Sequence, residues 1–170
     1  MRIIIIGGDG VGKSAAASVI ARELRCGYCE TGNVLIKKLS EYYAEASYCP
    51  NEVREMWRRT IRKCKDEFRR ELRALGSVLA KASPAALLDA AKHARIIVGI
   101  RRKCEAEALL DRYGRENTIW IHVYRAGMKD REFELNDWPV DFRVTNSGNA
   151  LSFLQVVRQL AKIIRHQFAR

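Results

Sequence analysis

The chain has 170 residues, of which 48% are hydrophobic and 30% are charged, and its formal net charge is +11. This length and composition predict one soluble globular domain with a buried core. No apolar stretch is long enough to cross a bilayer, and the chain enters a strand at once, so we expect neither a membrane span nor a secretory leader but a cytoplasmic protein. The positive charge favours anionic partners, which include nucleic acids, nucleotides and coenzymes, without choosing between them.

The first eighteen residues carry the most informative motif. Four isoleucines, Ile3–Ile6, predict a strand buried on both faces of a parallel sheet. Residues 7–14 then read G-x-x-x-x-G-K-S and lead into a helix-compatible run of alanines, which is the context that a phosphate-binding loop requires. Lys13 supplies a mobile positive charge, and the hydroxyl of Ser14 suits a Mg²⁺ ligand. The predicted phosphate-binding residues are Gly8, Asp9, Gly10, Val11, Gly12, Lys13, Ser14 and Ala15.

The first half of the chain beyond the loop is predicted to be mainly helical. Apolar residues recur at three- and four-residue steps along residues 53–73, whose remaining positions are rich in arginine and lysine. Most of these charges should be solvated helix surface, while Tyr43 and Trp57 should pack in the core. The predicted elements are a helix over 15–24, a short strand over 26–31 ended by Gly32 and Asn33, a helix over 34–46, Asn51 as an N-cap, a long helix over 53–73 ending before Gly76, and a helix starting at Ser83 and Pro84 and running to His93.

The second half alternates strands with helices. Apolar runs predict strands over 96–100 and 118–124, with Trp120 packed inside, and a weaker strand over 140–145. Helices are predicted over 104–113, ending at Gly114, and over 151–168, and residues 125–139 form a polar segment without a period. Such alternation predicts an α/β fold with a parallel sheet covered on both faces. Ligands of these sheets lie beyond the carboxyl ends of the strands, where the loop, Arg101, Arg125 and Asn146 all fall.

The cysteines do not suggest a disulfide framework. There are five, at irregular spacing, and only Cys26 and Cys29 form a C-x-x-C pair. With no second pair and three scattered histidines, packing is a better interpretation than a metal site.

Four stretches together resemble a known family. They are residues 7–14, whose loop is also similar to that of thymidylate kinase, the arginine-rich residues 69–76, the strand and helix start 97–105, and residues 141–148 before a leucine-rich helix. The chain resembles the P-loop nucleoside monophosphate kinases, most closely the bacteriophage-type deoxynucleoside monophosphate kinases, which are relatives of dephospho-coenzyme A kinase. One departure concerns the end of the third strand, where relatives often have an aspartate and this chain has Gly99. That difference leaves open how Mg²⁺ is held.

The resemblance implies a single kinase domain over 1–170 with the three-layer P-loop kinase fold and a parallel sheet of about five strands. An acceptor-binding helical segment would span 34–93 and a lid 125–139. ATP and Mg²⁺ would be the cofactors and nucleotides the substrates, and a homodimer stays open. The implied catalytic residues are Lys13, Asp9, Arg101, Arg125 and Arg131, the substrate-binding residues are Arg69, Arg70, Arg101, Arg102 and Lys37, and Asn146 would border the adenine. Glu105 is interpreted as a charge at a helix N-terminus rather than a base.

Three other functions stay open. The acceptor could be a different one, such as dephospho-coenzyme A. A nucleic-acid-associated P-loop NTPase is suggested by the net charge and the basic helix, but aromatic residues do not interleave with the basic ones as a base-stacking surface requires. A nucleotide-binding protein without catalysis is the third, which Gly99 keeps open.

Overall fold

The computed structural model describes residues 1–45, 49–83, 88–89, 91–128 and 133–168. These residues form five strands and six helices, apart from a short helical stretch at Leu88 and Asp89. The elements are β1 (Arg2–Ile6), α1 (Lys13–Leu24), β2 (Tyr28–Glu30), α2 (Thr31–Ala44), α3 (Pro50–Lys63), α4 (Arg69–Ala82), β3 (Ile96–Ile100), α5 (Lys103–Tyr113), β4 (Thr118–Tyr124), β5 (Phe142–Thr145) and α6 (Ala150–Phe168). Within the described ranges, no helix combines the length and the apolar character that a membrane crossing needs.

The chain divides into two compact units. Met1–Glu30 and Ala91–Arg170 form one, here called the sheet unit, and Thr31–Ala90 form the other, the helical unit. The helical unit covers nearly the same residues as the segment 34–93 that the resemblance assigns to acceptor binding.

The sheet unit contains one five-stranded sheet in the order β2-β3-β1-β4-β5, and all four neighbouring pairs are parallel. The predicted α/β class is therefore confirmed, and the arrangement agrees with a three-layer P-loop-type fold. β1 lies in the middle, so the loop that follows it emerges at the centre of the carboxyl edge of the sheet. Ligands of parallel sheets lie at this edge.

The isoleucines of β1 are buried on both faces, as the uninterrupted apolar run predicted. Ile3 and Ile5 belong to a cluster with Ile20 of α1 and Val157 of α6. Ile4 alternates with them and is equally buried on the other face. On that face Trp120, paired with Ile4, is fully buried and packs against Trp138 with 5.5 Å between ring centres.

In the helical unit, α2 packs against both α3 and α4. The apolar contacts join Ile36 and Leu39 of α2 to Ile61 of α3 and Leu72 of α4, with Tyr43, Trp57 and Phe68 at the margin, as expected for the two aromatic residues named from the sequence. A Cβ on Gly76 would lie 3.3 Å from the Leu35 side chain, so α4 approaches α2 closely at this glycine.

The predicted single helix over 53–73 is wrong. α3 ends at Lys63, residues 64–68 turn, and α4 then runs through Gly76 instead of ending before it. In one straight helix Ile61 and Leu72 would lie about 16 Å apart along the axis, too far for both to pack on Ile36 and Leu39, which are one turn apart on α2. Burial against α2 therefore overrides a continuous helical period.

Two further boundaries differ from the predictions. Gly32 and Asn33 do not end β2 but lie in the first turn of α2, which starts at Thr31. The N-cap of α3 is Cys49 rather than Asn51, because Pro50 occupies the first helical turn, where its fixed φ fits and its missing N–H is not needed. The predicted helix start at Pro84 lies outside the described residues.

Candidate functional site

Three glycines shape the loop between β1 and α1. Gly7, Gly10 and Gly12 have φ angles of 146°, 71° and 104°, which residues with side chains rarely adopt. A Cβ on Gly7 would also lie 2.1 Å from the carbonyl oxygen of Val123 in β4. This backbone path therefore requires glycine at these three positions. Loops of this kind can turn successive N–H groups toward one anion.

The helix that follows the loop has an open N-terminus. Gly12 is its N-cap, no side chain of the described residues caps it, and its first turn contains no acidic residue. Ser14 and Ala15 in that turn are exposed. The first N–H groups of α1 and the positive end of its dipole are therefore accessible to an anion.

Lys13 adds an ammonium group to the same loop. Its Nζ donates a hydrogen bond to the carbonyl oxygen of Gly8, so the side chain folds back along residues 8–13 instead of extending into solvent. One positive charge is thereby held against the backbone that the motif assigns to phosphate.

Asp9 and Arg101, both predicted catalytic residues, form an ion pair. Nη1 of Arg101, at the end of β3, lies 2.7 Å from Oδ1 of Asp9 in the loop. The Arg101 side chain is 22% exposed and that of Asp9 is 39% exposed, so the pair is open on one side. The loop and the end of the neighbouring strand thus present a guanidinium and an ammonium group at one edge of the sheet.

The structure explains why a glycine stands at position 99, where the kinases that the sequence resembles often have an aspartate. The pairing of β1 with β3 shifts between Ile5 and Ile6, which face Val98 and Ile100, so Gly99 is an extra residue in a bulge. Its φ is 95°, a conformation that favours glycine. The bulge advances the end of β3 and sets the direction in which Arg101 leaves the sheet.

The N-terminus of α5, in contrast to that of α1, is closed by two carboxylates. Glu105 accepts hydrogen bonds from the backbone N–H groups of Arg101 and Arg102, at 2.9 and 3.0 Å, and Glu134 accepts one from Lys103 at 3.1 Å. Burial raises the pKa of Glu105, while these two backbone bonds and the charges of Arg101 and Arg102 lower it in part. Glu105 therefore caps a helix, in agreement with its interpretation from the sequence, and Arg102, directly after Arg101, is the N-cap residue of α5.

Asn146 connects the loop to the turn before α6. Its Nδ2 donates to the carbonyl oxygen of Val11 at 3.0 Å, and its Oδ1 accepts from the N–H of Gly148 at 3.0 Å. A Cβ on Gly12 would lie 2.9 Å from the same Nδ2. Asn146 thus holds the loop in place, a role that the sequence did not suggest.

The segment predicted as a lid, 125–139, is not uniform. Arg125 to Met128 form a tight turn after β4, and the Met128 methyl lies 3.1 Å from a Cβ position on Gly10. Phe133 and Leu135, by contrast, are buried, and the N–H of Glu134 donates to the Arg101 carbonyl oxygen at 2.9 Å. Residues 133–135 are therefore fixed to the sheet unit, and Arg131 lies outside the described residues.

Arg125 itself is exposed at the carboxyl end of β4. Its Nη2 lies 3.2 Å from a Cβ position on Gly148, so the guanidinium group borders the turn that Asn146 organises. Lys13, Asp9, Arg101, Arg125 and Asn146 all occupy the carboxyl edge of the sheet.

His122 is a residue of this edge that the sequence analysis missed. It pairs with Ile6, the last residue of β1, is 7% exposed, and contacts the rings of Tyr124 and Phe133. Its Nδ1 is buried without a hydrogen-bond partner in the described part of the chain. Burial lowers the pKa of His122, and the positive charges of Arg143 and Lys13 lower it further. Its single signal in the sequence is a histidine inside an apolar strand.

The predicted acceptor residues other than Arg101 and Arg102 belong to the helical unit. Arg69 is paired with Asp66, Arg70 is exposed, and Lys37 lies 3.9 Å from Glu41. In the same unit the Nε atoms of Arg54 and Arg58 are buried without a hydrogen-bond partner among the described residues. These two arginines were not singled out from the sequence, because α3 is basic throughout.

The described residues place few side chains where they could act as metal ligands. Among the described residues no group of three or more His, Cys, Asp or Glu side chains is placed to bind a metal ion. Burial raises the thiol pKa of Cys26 and of Cys29, although Arg95 lowers that of Cys26, so neither is poised as a thiolate ligand. The exposed hydroxyl of Ser14 still fits Mg²⁺, which takes one or two protein ligands together with phosphate oxygens and water.

A scan against protein-family models found no model that matches this chain, and a search of curated proteins found no match either.

Proposed function

We propose that this protein transfers the γ-phosphoryl group of ATP to a nucleoside or deoxynucleoside monophosphate, giving ADP and the nucleoside diphosphate. The observation that carries the proposal is a glycine-shaped loop with Lys13 folded along it, whose Asp9 lies 2.7 Å from the guanidinium group of Arg101 at the next strand end. Phosphoryl transfer requires positioning and positive charge more than covalent participation of the protein.

The loop and the start of α1 bind the triphosphate. Backbone N–H groups of residues 8–15 contact its oxygens, and Lys13 exchanges its bond to the Gly8 carbonyl for the β- and γ-phosphates. The exchange is favourable because an ammonium–phosphate bond is charge-assisted, whereas the bond to a carbonyl is not. Asn146 keeps the loop in register during this step through its bond to Val11.

Arg101 binds the phosphate of the acceptor, and Arg102 supports it. A guanidinium group meets phosphate oxygens with two parallel hydrogen bonds. Asp9 orients Arg101 through their 2.7 Å contact, so the second phosphate is presented next to the loop. Holding ATP and the acceptor next to each other in this way supplies part of the rate enhancement.

Mg²⁺ would be held by Ser14 and by the phosphates, and it would supply further positive charge to the transferred group. Position 99 is a glycine and offers no carboxylate to the metal. The acidic residue of the loop is Asp9, and its Oδ1 is already in contact with Arg101. Arg125 borders the donor side and covers the phosphates from the turn after β4.

A panel of acceptors in a coupled ADP-release assay tests the proposal. The panel holds the common ribonucleoside and deoxyribonucleoside monophosphates, dephospho-coenzyme A, and single-stranded DNA and RNA. We expect ADP release that depends on one or a few monophosphates and that disappears in Lys13→Ala.

The other outcomes reject the proposal in different ways. Stimulation by dephospho-coenzyme A alone would move the activity to another acceptor. Stimulation by DNA or RNA, weakening steeply with salt, would identify a nucleic-acid-dependent NTPase. ATP binding without ADP release in any mixture would leave a nucleotide-binding protein without catalysis.

A further inference from the structure

Two arginines of α3 lie on the side of the helix that faces the core of the helical unit. Arg54 precedes Ile61 by seven residues, which is two helical turns, so both side chains leave the helix in nearly the same direction. Ile61 is fully buried against α2. Arg58 is one turn after Arg54 and lies beside Trp57 in the chain. The side of α3 that faces the core, and that should be apolar, therefore carries two arginines before Ile61.

One donor of each of these arginines is not satisfied among the described residues. Both Nε atoms are buried and have no hydrogen-bond partner there. Arg58 lies near Glu55, but at 3.7 Å, and the contact joins its Nη1 rather than its Nε. Burying a charged donor without an acceptor is unfavourable, so such groups usually indicate a ligand, a water or an ion.

Other arginines of the same helix differ in both respects. Arg59 leaves the opposite side, its side chain is 81% exposed, and its Nε lies 3.6 Å from Glu55. Arg62 is exposed as well. Within the described part of α3, the buried Nε atoms thus belong to the inner row, so their burial is not a general consequence of the basic composition of this helix.

We propose that Arg54 and Arg58 form a binding site for a phosphate monoester within the helical unit. Each guanidinium group offers Nε–H and an Nη–H as a fork that matches two oxygens of one anion, and two such groups one turn apart match the charge of a phosphate dianion. The inner position favours a small anion over a nucleic-acid backbone, which would need the exposed row of Arg59 and Arg62. Arg73 of α4 is a third candidate, since it precedes the buried Ala80 by the same seven residues.

The site is independent of the proposed reaction, because it lies in the other unit and its test involves no turnover. Within this unit, Arg54 and Arg58 would take the place of Arg69 and Arg70, the phosphate-binding residues that the resemblance implies. Arg69 is already paired with Asp66, and Arg70 is exposed on the first turn of α4.

The experiment follows the arginine Nε–H resonances of the full-length Lys13→Ala protein by ¹H–¹⁵N NMR. This variant removes the lysine of the proposed triphosphate loop. Inorganic phosphate is the first probe, a nucleoside monophosphate the second, and acetate the control anion at equal ionic strength. We expect the Arg54 and Arg58 resonances to shift saturably with both phosphates, while Arg59 stays unchanged.

Variants decide which residues form the site. Arg54→Gln should weaken phosphate binding by about 10-fold or more, and Arg54→Lys should recover only part of it, because a lysine keeps the charge but lacks the fork. Arg59→Gln is the matched control and should change the affinity by less than about 2-fold. Arg58→Gln serves the same purpose if Arg54→Gln does not fold.

Three results would overturn the inference. Parallel, non-saturating shifts of all arginines would indicate screening alone. Equal shifts with acetate would indicate a general anion site rather than a phosphate site. Unchanged Arg54 and Arg58 resonances with either phosphate would mean that no site exists there, whatever the kinase assay shows.

Discussion

Lys13 is the residue on which the proposed binding of the triphosphate depends most. Its ammonium group already lies against the loop through its bond to Gly8. Lys13→Ala should reduce turnover by roughly 100- to 1,000-fold, the loss typical of one charge-stabilising donor. The unfolding free energy should change by less than about 1 kcal/mol, because the side chain is not part of the core.

Steady-state kinetics and urea unfolding measure the two quantities. Lys162→Ala, an exposed lysine of α6, is the control and should alter neither. Turnover by Lys13→Ala at the unmodified rate would contradict the assignment of residues 7–14 to ATP.

Arg101 and Asp9 are expected to act as a coupled pair. Arg101→Ala should raise the acceptor KM or lower kcat by about 10-fold or more, since a charge-assisted bond to phosphate is lost, while ATP affinity stays nearly constant. Asp9→Asn should have a smaller effect, because it leaves Arg101 in place but less well oriented.

A double-mutant cycle in kcat/KM separates the pair from two independent residues. We expect the effects of Asp9→Asn and Arg101→Ala to be non-additive, as is usual for side chains in contact. Strictly additive effects would mean that Asp9 and Arg101 act independently. An equal loss of ATP affinity in Arg101→Ala would mean that Arg101 binds ATP rather than the acceptor.

At the scale of single elements, the bulge in β3 explains why glycine stands at position 99. Gly99→Asp would introduce, at a φ of 95°, the aspartate that is common in the kinases that the sequence resembles. We expect it to lower the unfolding free energy by about 1–2 kcal/mol, the penalty of a left-handed conformation for a residue with a side chain. Activity should not rise, because the new carboxylate disturbs the path to Arg101.

Urea unfolding of Gly99→Asp, with Gly27→Ala as the control, tests this account. Gly27 has an ordinary φ and open space around its Cβ position, so Gly27→Ala should be neutral or slightly stabilising. Higher activity and unchanged stability in Gly99→Asp would mean that the site accepts a metal-binding aspartate after all.

The sequence predicted the elements whose pattern is local. The loop was predictable because G-x-x-x-x-G-K-S needs particular backbone angles, and β1 because four isoleucines in succession suit a doubly buried strand. The turn at 64–68 was not predictable, since the apolar period runs through it unbroken and only packing on α2 breaks the helix. Arg54 could not be told from Arg59 for the same reason: the local pattern does not show which basic residue faces the core.

The candidate site was predicted in part. The motif and the strand ends identified Lys13, Asp9 and Arg101, and the last two are in contact. His122 and the loop-holding role of Asn146 were missed because both depend on contacts between strands or loops far apart in the chain.

At the scale of the whole molecule, His122 makes stability depend on pH. Its pKa is lowered below the usual 6.5 by burial, then by Arg143 and Lys13, so the folded protein keeps it neutral where the unfolded chain begins to bind a proton. The unfolded state therefore gains protons first as the pH falls through 6.5, and the unfolding free energy should decrease in that range. Its other close neighbours, Tyr124 and Phe133, provide ring contacts.

Urea unfolding between pH 7.5 and 5.5 measures this dependence. His122→Phe should remove most of the slope near pH 6.5, because no titrating group is left at that position and the aromatic contacts persist. A slope that is equally steep in the variant would assign the pH dependence to other groups.

The central claim is that residues 7–15 and Arg101 together move a phosphoryl group from ATP to a monophosphate. A ³¹P NMR time course of ATP, Mg²⁺ and the acceptor found in the panel observes this transfer directly. We predict that the γ-phosphate resonance of ATP and the acceptor resonance decline together, while the resonances of two diphosphates, ADP and the nucleoside diphosphate, grow in equal amount without orthophosphate. Formation of ADP and orthophosphate with the acceptor resonance unchanged, or ATP that persists unchanged with every acceptor, would contradict the claim.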